Sequence, residues 1–223
     1  MGQPAGIAMA PLIRPDRHIS DATNQADSYR VIRGRVNGLK KAPDARLMPY
    51  LEQARFGSAA LVRTSDLRYD LLSALVERWR LETHTFYFPC GECTVTLEDV
   101  AMQLGLPIDG RPVTGVSSFT DLAALCYQLL GDSSEDDESN FTGLKFTGLK
   151  AKFGQLSATA TEGELMCTGR AYIMHILGGV LMPDANNNKV HLMYLLLLAD
   201  LSSVSSYSWG SAVLAVLYRS FFG

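Results

Sequence analysis

Cys90 and Cys93 stand in a Cys-x-x-Cys pair, the spacing of half a tetrahedral zinc site, and His84 lies just upstream. A closed structural site needs four thiolate or imidazole ligands, and the chain offers no second pair to complete it. The other candidates, Cys126, Cys167, His175 and His191, are scattered over predicted helices. The pair therefore reads as ordinary turn cysteines, and no metal is expected. A redox dithiol fits less well, because that motif belongs at a helix N-terminus after a parallel strand, and here it sits in a hairpin turn.

Residues 96–106, TLEDVAMQLGL, have the pattern of the first helix and turn of a DNA-binding helix-turn-helix. Pro107, Asp109, Gly110 and Pro112 follow, and they cannot start the recognition helix that should come next. A second route to nucleic acid is charge: residues 1–80 carry 13 Lys and Arg against 8 Asp and Glu, and the remainder 7 against 15. Arg30, Arg33, Arg35, Lys40 and Lys41 could meet phosphates, although Tyr29 alone supplies an aromatic in that arm and no binding motif accompanies it. A solvated basic tail is the default reading, and a nucleic-acid-binding module of transposon origin is kept as the alternative.

Catalysis has little to stand on. No Gly-x-Ser-x-Gly elbow, phosphate-cradling glycine loop or His-Glu-x-x-His is present, and the four histidines lack obvious partners. Arg170 and His175 lie in an otherwise apolar helix, where a hydrogen-bonded pair of semi-buried groups facing Asp184 or Asp200 is expected. Trp79, Phe86 and Trp209 are expected in the core. No catalytic residue, cofactor or small-molecule substrate is identified, and the chain is expected not to be an enzyme.

These residues need elements to hold them. Residues 1–46 are rich in Pro, Gly, Asp, Asn and Arg without periodicity, and predict a flexible basic arm, with globular structure from Leu47. Ser65 can cap a helix carrying Leu67, Leu71, Leu72, Leu75, Val76 and Trp79 on one face. Residues 83–88 and 93–96 predict a short hairpin about Pro89 and Gly91. Thr96, with Asp99 three residues on, caps a helix over 97–104 that Gly105 ends and Pro107 prevents from resuming. A helix over 119–130 follows, then a run of carboxylates and serines over 131–140 that can only be an exposed acidic loop. Residues 144–153 form a weak helix, 162–181 a long one, 190–198 a uniformly apolar central helix starting at 186–188, and 208–222 the last. The sum is a mainly α, single multi-helix domain with one short β-hairpin.

At these residues the chain resembles the plant mobile domain family, also labelled aminotransferase-like. The likeness rests on Trp79 and Arg80 leading into 82–86, on Pro89, Gly91 and Glu92, on 96–100, and on Gly105-Leu106-Pro107 with Asp109-Gly110. A second block, 170–219, carries Pro183-Asp184, Asp200 and Tyr207-Ser208-Trp209-Gly210-Ser211. The resemblance covers roughly 47–219. It implies a nuclear protein with roles in transposon silencing, genome stability and meristem development, acting through protein partners such as a type-seven-like serine/threonine phosphatase. The metal-binding motifs of that phosphatase class are absent here, so the likeness concerns its accessory domain, and no lysine stands in a setting for pyridoxal phosphate. Family members usually continue past the position of Arg219, so the domain over 47–223 is expected to be C-terminally truncated. The family pattern also leads to a large aromatic at Gly148, where its loss would remove a core anchor, at about 3–5 kcal/mol.

With 223 residues, 47% of them hydrophobic, and a mean hydropathy of +0.06, the chain is long enough to bury a core. Four cysteines and an N-terminus without a continuous apolar stretch predict a reducing compartment and no secretory signal. The apolar run over 190–201 is too short to cross a membrane.

Overall fold

A computed structural model describes residues 37–39, 41–62, 69–114, 122–131, 143–154, 156–183 and 188–220. In chain order, a 3₁₀ turn at Ala45–Leu47 leads into α1 (Met48–Gln53) and α2 (Gly57–Leu61). Next come α3 (Tyr69–Arg78), β1 (Trp79–Arg80), β2 (Thr85–Phe88) and β3 (Gly91–Cys93). The rest runs α4 (Leu97–Leu104), α5 (Leu122–Leu130), β4 (Gly143–Lys145), α6 (Phe146–Gly154), α7 (Glu162–Ile176), β5 (Lys189–His191) and α8 (Trp209–Ser220). The fold is mainly α, as expected. Its described residues divide into two compact units, one over 69–94, the other drawn from 37–62 and 95–220.

In the first unit the hairpin gains a strand that periodicity missed. β1 pairs antiparallel with β2, setting Trp79 opposite Phe86, and β2 pairs with β3, setting Phe86 opposite Cys93. Trp79 therefore leaves the helix it was predicted to finish. Its indole packs edge-on against Phe86 at 4.8 Å, and both rings are buried, which a cross-strand pair achieves and a helix face beside it would not. The predicted apolar face of α3 is also corrected. Leu71 is 55% exposed, while Ser73 is buried. Ser65 and Leu67 lie outside the described residues.

The second unit holds the main core. Its largest fully buried side chains include Trp209, Phe56, Leu47, Leu51, Ile173, Leu177, Leu195 and Leu198. The long helix is as predicted: Thr161 caps α7, with Glu164 answering the Thr161 backbone, and a π-helical turn at Leu177–Leu181 extends it. Packing starts upstream of Leu47, since Leu39 lies against the core and Arg46 donates to the Ser157 and Ala158 carbonyls at 2.8 and 3.2 Å.

Two other expectations change. The apolar run after Asn188 is not an α-helix: Lys189–His191 forms β5, and Leu192–Leu198 is 3₁₀. Its strand pairs antiparallel with β4, a second sheet where only one hairpin was expected. Val190 and Leu192 are β-compatible, and the His191 ring accepts the Met193 amide through Nδ1, capping a tighter helix than the hydropathy alone implies. Gly148 is exposed, and a Cβ there would meet nothing within 4 Å, so no core anchor is missing at that position.

Candidate functional site

The sequence-level metal candidates are not brought together. Cys90 and Cys93 are exposed thiols, and among the described residues no group of three or more His, Cys, Asp or Glu side chains gathers. His84 sits in the left-handed region at φ 54°, and its carbonyl accepts the Thr94 hydroxyl at 2.7 Å. Cys126 is buried, and burial pushes its thiol up to about 11, away from the thiolate that metals and electrophiles need.

The DNA-helix reading fares no better in the chain that follows α4. Thr96 and Asp99 form a full capping box, with Asp99 Oδ2 accepting the Thr96 amide at 2.8 Å and the Asp99 amide donating to Thr96 Oγ1 at 3.1 Å. The Thr96 amide and hydroxyl hold the Asp99 carboxyl below its ordinary value. Gly105 closes the helix at φ 66°, and residues 106–114 are non-helical. The acidic run 132–140 and the basic residues Arg30, Arg33, Arg35 and Lys40 lie outside the described residues.

What the second unit does build is a lock between the two stretches that carry the resemblance. The Gly210 amide donates to Pro107 O at 2.8 Å, the Arg111 amide to Ser206 O at 2.8 Å, and the Ser208 amide to Arg111 O at 2.8 Å. Ser208 Oγ donates to Ile108 O at 2.6 Å, and Ser211 Oγ reaches the same carbonyl at 3.2 Å. The Arg111 guanidinium stacks on Tyr207 at 4.3 Å and donates to Ser206 Oγ at 3.0 Å. Two glycines permit this approach: Gly110, at φ 115°, would drive a Cβ into the Ser206 carbonyl, and a Cβ on Gly210 would lie 2.8 Å from Ile108 Cγ2. Behind the lock, Trp209 is fully buried, donates Nε1 to Val204 O at 2.9 Å and meets Phe56 edge-on at 5.3 Å. Arg111 and Ser206 were not singled out from sequence. The Asp109-Gly110 turn was the available signal, since it aims the next residue across the chain.

Arg170 and His175 are both buried, but they do not pair with each other. Arg170 donates Nε to Leu198 O and Nη2 to Ala199 O, each at 2.9 Å, and Nη1 to Leu129 O at 3.3 Å. His175 Nε2 lies 2.7 Å from Asn37 O. The partners are thus backbone carbonyls: those of Arg170 lie at the ends of the 3₁₀ segment and of α5, where carbonyls lack intrahelical donors, and that of His175 lies in the stretch ahead of the first 3₁₀ turn. Asp200 instead accepts from the Ser202 amide and hydroxyl, which hold its carboxyl low, and Asp184 lies outside the described residues.

Two clefts open on the second unit. One, of about 460 Å³, is lined by Arg55, Gly105, Pro107, Ile108, Asp109 and Ser205 and lies beside the lock. The other, of about 590 Å³, has a largely apolar floor including Val190, Met193 and Tyr194, with Lys189, His191 and Arg219 on its rim. Neither places a nucleophile beside a base, so the geometry supplies binding surface without a catalytic constellation among the described residues.

The sequence model of the family described as Plant mobile domain matches residues 56–222. Protein MAIN-LIKE 2 of Arabidopsis thaliana is 35% identical over 98% of this chain, which spans 33% of that protein. Protein MAINTENANCE OF MERISTEMS of the same plant is 35% identical over 95% of this chain and 45% of its own length. A serine/threonine-protein phosphatase 7 long form homolog, also from Arabidopsis, is 44% identical over 69% of this chain but 11% of its own length. The chain therefore spans less than half of these relatives. No solved structure matches it.

Proposed function

The chain belongs to the plant mobile domain family, and on that premise we propose that it is a non-enzymatic module that works through protein partners in the nucleus. Its role is in transposon silencing, genome stability and meristem development. The observation that carries this reading is how the family's signature residues are spent. Ser208 and Ser211 hold the Ile108 carbonyl, the Gly210 amide holds the Pro107 carbonyl, and Arg170 holds the Leu198, Ala199 and Leu129 carbonyls, so these polar groups are engaged in holding the fold. The matched segment also occurs in relatives of very different length, one of them named as a phosphatase homolog, which is the distribution of a portable module. No helix among the described residues is long and apolar enough to cross a membrane.

The test is affinity purification from plant nuclei followed by mass spectrometry, beside turnover assays on the purified chain. The expected result is specific recovery of a phosphatase of the type-seven long form, with no phosphatase or transaminase turnover by the chain alone. Turnover that disappears on substituting a polar residue lining either cleft would overturn the non-enzymatic reading. Recovery of no protein above a scrambled-bait control would overturn the partner reading.

A further inference from the structure

The cleft beside the last turn of α8 is lined from four segments: the π-helical turn after α7, β5, the start of the 3₁₀ run and α8 itself. Val190 adds little to its open surface, because β5 turns that side chain into the core, where it takes the space a Cβ on Gly178 would need. What stays open is Met193, Tyr194 and Val216, three apolar side chains that are only half-buried. Polar chemistry at the mouth is one-sided. The lining holds Lys189 and Arg219 but no Asp or Glu, although from residue 81 onward the chain carries 15 acidic residues against 7 basic ones. Arg219 is exposed, and among the described residues no carboxylate lies within ion-pair distance of it. The His191 ring accepts the Met193 amide at 3.2 Å through Nδ1, so its proton sits on Nε2, and that N–H is a donor without a partner among the described residues.

We infer that this cleft binds a small amphipathic carboxylate, of which a medium-chain fatty acid is the simplest member. The hydrocarbon tail lies over Met193, Tyr194 and Val216 and removes them from water, and the flexible thioether of Met193 follows tails of different shape. The head group meets the Arg219 guanidinium, whose fork matches the two oxygens of a carboxylate, and takes the His191 Nε2–H as a further donor. A cleft of about 590 Å³ is of the size that holds such a molecule. Two features favour this class over a phosphate or a nucleic acid. Arg219 stands in the last turn of α8, where free carbonyls form the negative end of the helix, so one negative charge is accepted there more readily than two. The acidic surround repels a long polyanion, whereas a single carboxylate is governed by the cation beside it.

The experiment is an NMR titration of the full chain, labelled at its methionine methyl groups, with octanoate, octanol, octyl phosphate and acetate, Met193→Leu assigning the Met193 signal. Octanoate is expected to shift that signal and to saturate with a Kd of about 0.1–1 mM, octanol to bind more weakly, and acetate to give no shift at the same concentration. Arg219→Gln is expected to weaken octanoate about tenfold and to leave octanol unchanged, a split that an unfolded variant cannot give. Val216→Phe, which fills the cleft, is expected to weaken both while the methionine signals remote from the cleft stay where they are. No shift of the Met193 signal at about 5 mM octanoate, or equal octanoate affinity in Arg219→Gln, overturns the inference. Tighter binding of octyl phosphate than of octanoate overturns the carboxylate assignment. Shifts spread over many methionines without saturation overturn it as well, by making the effect a detergent action on the whole chain.

Discussion

His175 donates its Nε2 proton to the carbonyl of Asn37, 138 positions earlier in the chain, at 2.7 Å. A carbonyl can only accept, so the ring is held in the Nε2–H tautomer. Its Nδ1 is then a buried acceptor without a hydrogen-bond partner among the described residues, and the ring is flanked edge-on by Phe146 at 5.0 Å and Phe153 at 5.6 Å.

Burial pushes His175 from 6.5 down to about 4, against a smaller opposing effect of the Asn37 carbonyl. The unfolded chain therefore binds a proton at this residue between those values while the folded chain does not. Stability contributed by the neutral ring is present above pH 6.5 and is lost as pH falls towards about 4, by roughly 3 kcal/mol at the acid end. Urea unfolding midpoints measured from pH 7 to pH 4 should show this slope, and His175→Phe should reduce it, so that the variant's deficit at pH 7 shrinks towards pH 4.

Arg170 holds three carbonyls from two separate segments, so its removal leaves buried acceptors unpaired. Arg170→Ala should cost about 3–5 kcal/mol. Arg170→Lys should recover only part of that, because a single ammonium cannot reproduce the fork that reaches Leu198, Ala199 and Leu129 together. Chemical denaturation of the two variants side by side checks the order.

Two glycines predict opposite outcomes for the same substitution. Gly110→Ala forces a Cβ into the Ser206 carbonyl at a positive φ and should destabilise by about 2 kcal/mol or more. Gly148→Ala lies in an exposed turn of α6 with open space around it, and should stabilise by about 0.5–1 kcal/mol. Thermal melts resolve the two signs, and a stabilised Gly110→Ala would dismiss the lock as a constraint.

Chelation should leave the melting temperature unchanged, since Cys90 and Cys93 are exposed and gather no third ligand among the described residues. Cys90→Ser with Cys93→Ser should be neutral within about 0.5 kcal/mol. A zinc-dependent rise in Tm that the double substitution abolishes would restore the metal reading.

The nucleic-acid alternative is tested by electrophoretic shift across a salt series. The deletion used should stop ahead of residue 37, because Asn37 and Arg46 both bond into the second unit and their loss would confound binding with folding. A shift that weakens steeply with salt and vanishes on that deletion supports the alternative; an intact shift rejects the arm as its source.

Local chemistry was the readable part of this sequence. The Thr96 cap, the Gly105 stop and α4 between them stand at the predicted residues, because capping is decided within one turn of helix. Tertiary partners were not readable. Trp79 looked helical because its periodicity fits, and cross-strand packing with Phe86 overrode that period. Val190 to Leu198 looked like a central α-helix because hydropathy does not record that β4 needs a partner strand. Arg170 and His175 invited a story of side chains facing one another. Backbone carbonyls took both, and a carbonyl carries no residue-type signal.

The bond from Ser208 to the Ile108 carbonyl joins residues 100 positions apart, and it has a consequence for how the chain is made. At roughly 5–20 residues per second of synthesis, residues 105–111 spend about 5–20 s outside the ribosome before their partners are translated. During that interval α4 can form by itself on its Thr96 cap, while the segment after it keeps its carbonyls in water. Chaperone dependence should therefore concentrate in the window between the emergence of residue 111 and that of residue 210, and a stall placed inside it should raise aggregation more than one placed after it.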